Sequence, residues 1–356
     1  MRWDLFCRVI DNYGDIGVCW RLASNLQSRG EQVRLWVDDP SALGWMAPLS
    51  GESGVEVLAW SDPPPPVEPG DVVIEAFGCD PPTTFVRAMQ ARAVAPVWIN
   101  LEYLSAEAYV ARSHGLPSPQ FTGAAAGLTK WFFYPGFSEG TGGLMREPGL
   151  LAERRHFNRD AWLRARGWER LPEEDVIVLF SYPNAPLAGL LDQLASSRTM
   201  LLVAAGCQAP DAVPGSGLRI RHLPRLSQAD FDRLLWSADL NFVRGEDSFV
   251  RAQWAAAPFV WQIYPQSDGA HKAKLQAFMD GHLLQADPTL KSRLLELWRA
   301  WNGLHPWPPD LAWPDLAAWR ELTQAWRDQL AGQADLVSQL IGFVDDKRRS
   351  VATPSS

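Results

Sequence analysis

The sequence predicts an α/β protein built from two doubly wound parallel-sheet domains. Two observations carry that prediction. Short β-like apolar runs alternate with helical stretches in two separate series, the pattern of parallel strands covered by helices on both faces. The chain has 356 residues, enough for two such series at roughly 100–200 residues per domain. Hydrophobic residues make up 47% of it, so each series has the side chains to bury a core.

The first series opens with a strand over Trp3–Val9 and a helix over Ile16–Arg29, whose apolar Ile16, Val18, Cys19, Leu22 and Leu26 recur at helical spacing. Strands follow at Gln32–Val37, Asp71–Glu75 and Pro96–Ile99, with a helix at Thr83–Ala93. The proline run from Ser61 to Pro69 excludes regular structure and reads as a surface connection. Ser113–Gly149, rich in Gly and Pro, reads as long loops.

The second series is more tightly spaced. Val176–Phe180 is a near-continuous apolar run, as a strand buried on both faces requires. Strands are expected at Thr199–Ala205, Leu218–His222, Leu240–Val243 and Phe259–Ile263, and helices at Leu187–Ala195, Gln228–Trp236 and Phe249–Ala257. The last fifth reads as helical, with six of the 18 Trp between Trp298 and Trp326, which packing explains better than binding. The expected domains are 1–170 and 171–331.

Charge and composition narrow the function. A formal net charge of −8 excludes a generally basic nucleic-acid sheath and argues against an anionic membrane surface as partner. Cys7, Cys19, Cys79 and Cys207 show no CxxC spacing and the six histidines are scattered, so no structural zinc site is expected. The thiols read as buried and free in a reducing compartment. Asp4 interrupts any signal-peptide core, and no apolar run approaches the ~20 residues a bilayer span needs; the expectation is a cytoplasmic protein.

Ligands of doubly wound sheets bind outside the carboxyl ends of the strands, so the loops after strands hold the candidates, facing a cleft between the two domains. The first is IDNYGDIG, where Asp11 and Asp15 place two carboxylates beside a helix start. Asp15 reads either as the N-cap of that helix or as one of a pair that attracts a cation and accepts its proton. No GxGxxG is present. The second is FVRGEDSFVRAQW, a strand–loop–helix joint. Asp247 or Ser248 is expected as N-cap, the helix N-terminus as a phosphate site, and Arg244 as a clamp. The third is Tyr182 in FSYP, with PRLSQ (Arg225, Gln228) after another strand; Tyr264, Gln266 and Asp268 are weaker candidates. Asp230 and Asp232 form a DxD inside an amphipathic helix and read as a solvated face rather than a metal site; Asp38–Asp39 reads as a helix start.

IDNYGDIGVCWRLA combined with NFVRGEDSFVRAQWAAAPFVWQIYPQ resembles the bacterial elongation factor P arginine rhamnosyltransferases over nearly the whole chain. The resemblance implies a GT-B fold, two Rossmann-like domains facing across a cleft, with 332–356 packed back on the first. That first domain would be the acceptor side and 171–331 would bind the nucleotide sugar. It implies inverting transfer of L-rhamnose from dTDP-β-L-rhamnose to an arginine guanidinium nitrogen of translation elongation factor P, with no cofactor or metal. Asp11 and Asp15 match the family's two essential aspartates, with Asp15 as general base. Arg244, Glu246, Asp247 and Ser248 match its diphosphate-binding segment, Glu246 being carried as a catalytic candidate too. Tyr182 and Gln228 match its nucleotide-site residues, and Arg225 stands where relatives usually carry Phe beside the thymine. Residue chemistry alone leaves open a non-catalytic nucleotide-binding partner protein, or a sugar-nucleotide epimerase or hydrolase on the same scaffold.

Overall fold

The computed structural model describes residues 1–10, 13–48, 53–61, 65 and 67–352. The chain divides into two compact units, Met1–Pro148 with Ala331–Ser356, and Gly149–Leu330.

The first unit runs β1 (Arg2–Cys7), α1 (Gly14–Ser28), β2 (Gln32–Val37), α2 (Leu43–Met46), β3 (Glu56–Ala59), β4 (Val72–Ala76), α3 (Thr83–Gln90), β5 (Val97–Leu101), α4 (Tyr109–Ser113), β6 (Pro117–Pro119) and β7 (Thr129–Phe133). Its seven-stranded sheet has the order β3-β2-β1-β4-β5-β7-β6, parallel except for the β6–β7 edge pair. Trp3 lies opposite both Val33 and Val72, which puts β1 at the centre. From β1 the chain winds outward through β2 and β3, then returns to β1's other side with β4. The loops after β1 and β4 therefore flank a topological switch point, the place where doubly wound sheets bind ligands. One face is filled by Phe6, Trp36, Phe85 and Trp98. Buried Asp4 is matched within the sheet: Arg34 donates to both of its oxygens at 2.7 Å, and the Trp36 indole donates at 2.8 Å.

The second unit runs α5 (Leu150–His156), α6 (Arg159–Ala165), β8 (Asp175–Leu179), α7 (Leu187–Leu194), β9 (Thr199–Val203), β10 (Arg219–His222), α8 (Gln228–Ser237), β11 (Leu240–Arg244), α9 (Asp247–Ala255), β12 (Phe259–Gln262), α10 (Ala270–His282), α11 (Pro288–Trp301) and α12 (Leu316–Ala331). Its five parallel strands have the order β10-β9-β8-β11-β12, so the switch point lies between β8 and β11. The helical Trp residues pack: Trp298, Trp301 and Trp319 are fully buried, which is the role composition suggested. A last helix, α13 (Leu336–Ala352), belongs to the first unit, where Leu336, Val337, Leu340 and Val344 are buried.

Three expectations need correction. Ser113–Gly149 is not all loop, since it contains β6 and β7. β7 (TKWFF) escapes notice because its first four side chains are only half-buried and its neighbours are rich in Gly and Pro. Residues 149–170 group with the second unit rather than the first. Arg159 donates to both oxygens of Asp239 at 2.9 Å, and Phe157 meets Trp236 at 5.4 Å. The thiols are all free, but only Cys7 and Cys19 are buried; Cys79 and Cys207 are half-buried. The proline-rich connection lies partly outside the described residues.

Candidate active site

In the first unit, α1 starts immediately past the loop that leaves β1. Its N-cap is Tyr13, with no side-chain cap bond, and Asp15 sits in the first turn. Asp15 is therefore not the cap. Its carboxylate, 3% exposed, accepts the Ile10 N–H at 2.8 Å and lies 3.5 Å from the Tyr103 hydroxyl. The Asp38 carboxylate accepts the Val9 N–H at 3.0 Å, so Asp38 ties down the strand end instead of starting a helix; the next helix begins at Leu43. Two successive backbone N–H groups of the loop are thus fixed by acids. Asp11 lies outside the described residues.

Tyr103, which follows β5, and Phe77, which follows β4, were not anticipated. Their rings stack at 4.1 Å and 10°. Phe77 holds φ of 59°, a conformation bulky side chains adopt only under strain. The sheet imposes it: the Phe77 N–H donates to Leu101 O at 2.7 Å and the Gly78 N–H to Asn100 Oδ1 at 3.1 Å. Asn100 Nδ2 in turn donates to Glu102 Oε1 at 2.8 Å. Periodicity could not flag this pair, but the polar-aromatic run LEYLSAEAY at the end of a strand was a usable signal. Burial pushes Cys19 well above its ordinary pKa, with help from Cys7, Cys79 and the Asp15 charge; burial and Glu75 do the same for Cys79.

In the second unit the loops after β8 and β11 converge. Arg244 Nη1 donates to Ser181 O at 2.8 Å, and its guanidinium lies 4.4 Å from the Phe180 ring centre and 4.7 Å from that of Tyr182. The Tyr182 N–H donates to Gln262 Oε1 at 2.7 Å, and the Tyr182 ring meets Tyr264 edge-on at 5.5 Å. Gln262 also donates to Asn184 at 3.1 Å, so it fixes the FSYP turn, a role spacing did not reveal. At the start of α9 the N-cap is Glu246, without a side-chain cap bond, rather than Asp247 or Ser248. The Ser248 hydroxyl instead closes on Arg244, accepting its N–H at 3.2 Å and donating to its carbonyl. The turn is locked without a cap, and Gly245 takes the positive φ of 65° it needs.

Gln228 begins α8, capped by Ser227, whose hydroxyl accepts the Asp230 N–H at 3.2 Å; Arg225 is exposed in the preceding loop. Asp268 accepts the Ala270 N–H at 3.0 Å and serves the turn into α10. The DxD is not a solvated face. Asp232 is buried in a two-pronged pair with Arg251 at 2.8 and 2.7 Å, and Asp230 pairs with Arg166 at 2.5 Å. Among the described residues no cluster of three or more His, Cys, Asp or Glu is arranged to hold a metal ion. Nor is any helix among them long and apolar enough to cross a membrane.

Asp15 thus lies at the switch point of the first sheet, and Tyr182 and Arg244 at that of the second. The sequence model described as "Elongation-Factor P (EF-P) rhamnosyltransferase EarP" matches residues 3–345. The chain belongs to the EarP family. A protein-arginine rhamnosyltransferase of Pseudomonas aeruginosa is 43% identical, over 97% of this chain and 99% of its own length; one from Pseudomonas putida is 44% identical over 96% and 98%. A solved structure described as "Structural basis for EarP-mediated arginine glycosylation of translation elongation factor EF-P" superposes with a TM-score of 0.64 at 31% identity, covering 97% of this chain and 99% of that one. The glycosyltransferase spinosyn forosaminyltransferase SpnP matches at TM-score 0.53 and 12% identity over 97% and 99%, which is a likeness of fold. The fold is GT-B, and the EarP family member described here is an enzyme, a protein-arginine rhamnosyltransferase.

Proposed function

We propose that this enzyme moves L-rhamnose from dTDP-β-L-rhamnose to a guanidinium nitrogen of an arginine in translation elongation factor P. The transfer proceeds with inversion, in the cytoplasm and without a metal. The EarP family match, together with the solved relative described as glycosylating EF-P, supports the acceptor. The residue roles rest on one observation above all: a buried carboxylate, Asp15, held by the Ile10 N–H at the switch point of the first sheet.

An arginine side chain is protonated at any physiological pH, and its nitrogens are poor nucleophiles while the cation stays delocalised. Asp15 acts as general base. As a guanidinium nitrogen forms its bond to the sugar's anomeric carbon, the proton on that nitrogen passes to the Asp15 carboxylate and the bond to the diphosphate oxygen breaks. Asp11 orients the acceptor. The departing negative charge is met by Arg244 and the N–H groups opening α9, with Glu246, Asp247 and Ser248 shaping the same turn. Tyr182, Arg225 and Gln228 line the nucleotide side.

Intact-mass measurement of purified elongation factor P, after incubation with this enzyme and dTDP-rhamnose, tests the proposal. The expected result is the addition of one deoxyhexose that disappears when the modifiable arginine is replaced by lysine. Consumption of donor with an unchanged protein mass would support an epimerase or hydrolase instead.

A further inference from the structure

We infer that the stacked Phe77–Tyr103 pair is the platform on which the planar cation of the acceptor lies, with Tyr103 as its contact face and Asp15 at its edge. The inference deepens the functional reading above and rests on it. A guanidinium is flat, delocalised and weakly hydrated. It is held best by an aromatic face below and a carboxylate in its plane. The first unit presents that combination at the ends of three strands adjacent in the sheet. β1 leads to Asp15, β4 to Phe77 and β5 to Tyr103. Tyr103 is 38% exposed, although the three strands supporting it are buried.

The platform is rigid by construction. The left-handed Phe77 is fixed through its N–H to Leu101, and the following turn is fixed through Gly78 and Asn100. A strained aromatic residue supported this thoroughly is the arrangement expected where strain serves a binding site. Charge selects the occupant. Asp15 lies at the Tyr103 hydroxyl, and Glu102 adjoins Tyr103 in sequence. The anionic diphosphate of a nucleotide sugar would be repelled there, whereas a cation is attracted.

Steady-state kinetics with elongation factor P and dTDP-rhamnose test this on Tyr103→Leu, Tyr103→Ala, Tyr103→Phe and Tyr103→Trp. Loss of the ring is expected to raise the acceptor KM about 3- to 30-fold in the Leu and Ala variants. The Phe and Trp variants should stay within about threefold of the parent. The dTDP dissociation constant should be unchanged in all four, while the Leu and Ala variants lose the stack's packing and melt slightly lower; acceptor KM rising without a change in dTDP affinity separates a binding role from a structural one. If the Leu variant kept the parent acceptor KM, or the Phe variant lost as much as Leu, the platform would be refuted while arginine rhamnosylation stood. If the parent enzyme itself left elongation factor P unmodified, the functional reading would fail first.

Discussion

A carboxylate at position 15 is held where it can do little for helix α1 as a cap and much for a proton acceptor. It is nearly fully buried and accepts from a backbone N–H and a tyrosine hydroxyl. Asp15→Asn keeps shape and hydrogen-bond reach but cannot take a proton. Turnover is expected to fall about 10²- to 10⁴-fold, with dTDP affinity unchanged in equilibrium binding. Arg244→Ala should do the reverse to binding, weakening dTDP by about 10- to 100-fold through loss of a charge-assisted hydrogen bond. Equal dTDP affinity in Arg244→Ala and parent would remove Arg244 from the diphosphate site. Both residues were legible as candidates because each belongs to a strand–loop–helix joint, Asp15 in the first turn of α1 and Arg244 at the end of β11. Their partners were not. Tyr103 and Ser181 reach them only through the folded sheets, from 88 and 63 residues away.

Among the elements, α8 and α9 show how a charge motif misleads when only its own helix is considered. Asp232 lies on an amphipathic helix and looks solvated from local periodicity. The neighbouring α9 covers it and supplies Arg251, itself 2% exposed, in two-pronged geometry. Removing one partner strands a buried charge. Asp232→Ala is therefore expected to cost about 3–5 kcal/mol of stability, read from urea denaturation, and far more than Asp160→Ala on the exposed side of α6. Strand positions followed the apolar runs closely, since a parallel strand buried on both faces leaves a run of Val, Ile and Leu. The sequence reading missed the edge strands β3 and β6 and also β7, which begins Thr-Lys and whose Lys130 pairs at 2.5 Å with Glu75 on β4. A strand that spends a side chain on an ion pair loses the hydrophobic pattern by which strands are recognised.

For the whole molecule, acid stability depends on a histidine that has no catalytic place. His282 on α10 is buried among Phe259, Phe278, Trp298 and Trp326, and neither ring nitrogen has a hydrogen-bond partner. Burial pushes its pKa down to about 3. The folded protein keeps it neutral, while the unfolded chain protonates it below about pH 6.5. Stability is therefore complete above that pH and falls as pH drops toward 3, by up to about 1.4 kcal/mol per unit. In His282→Leu the thermal midpoint should decline less steeply between pH 6.5 and 4 than in the parent; parallel profiles would exclude His282 as the source.

The sequence by itself determined the class of fold, the alternation of strands and helices, and the two loops that carry the charged chemistry. It could do so because strand and helix periods, and the turn residues between them, are local properties. Which acids are ion-paired within their own sheet or helix pair, which aromatic rings stack beside Asp15, and which unit claims residues 149–170 were decided by tertiary structure alone. Those outcomes depend on side chains brought together by strands adjacent in a sheet but distant along the chain, and no local pattern encodes such a meeting.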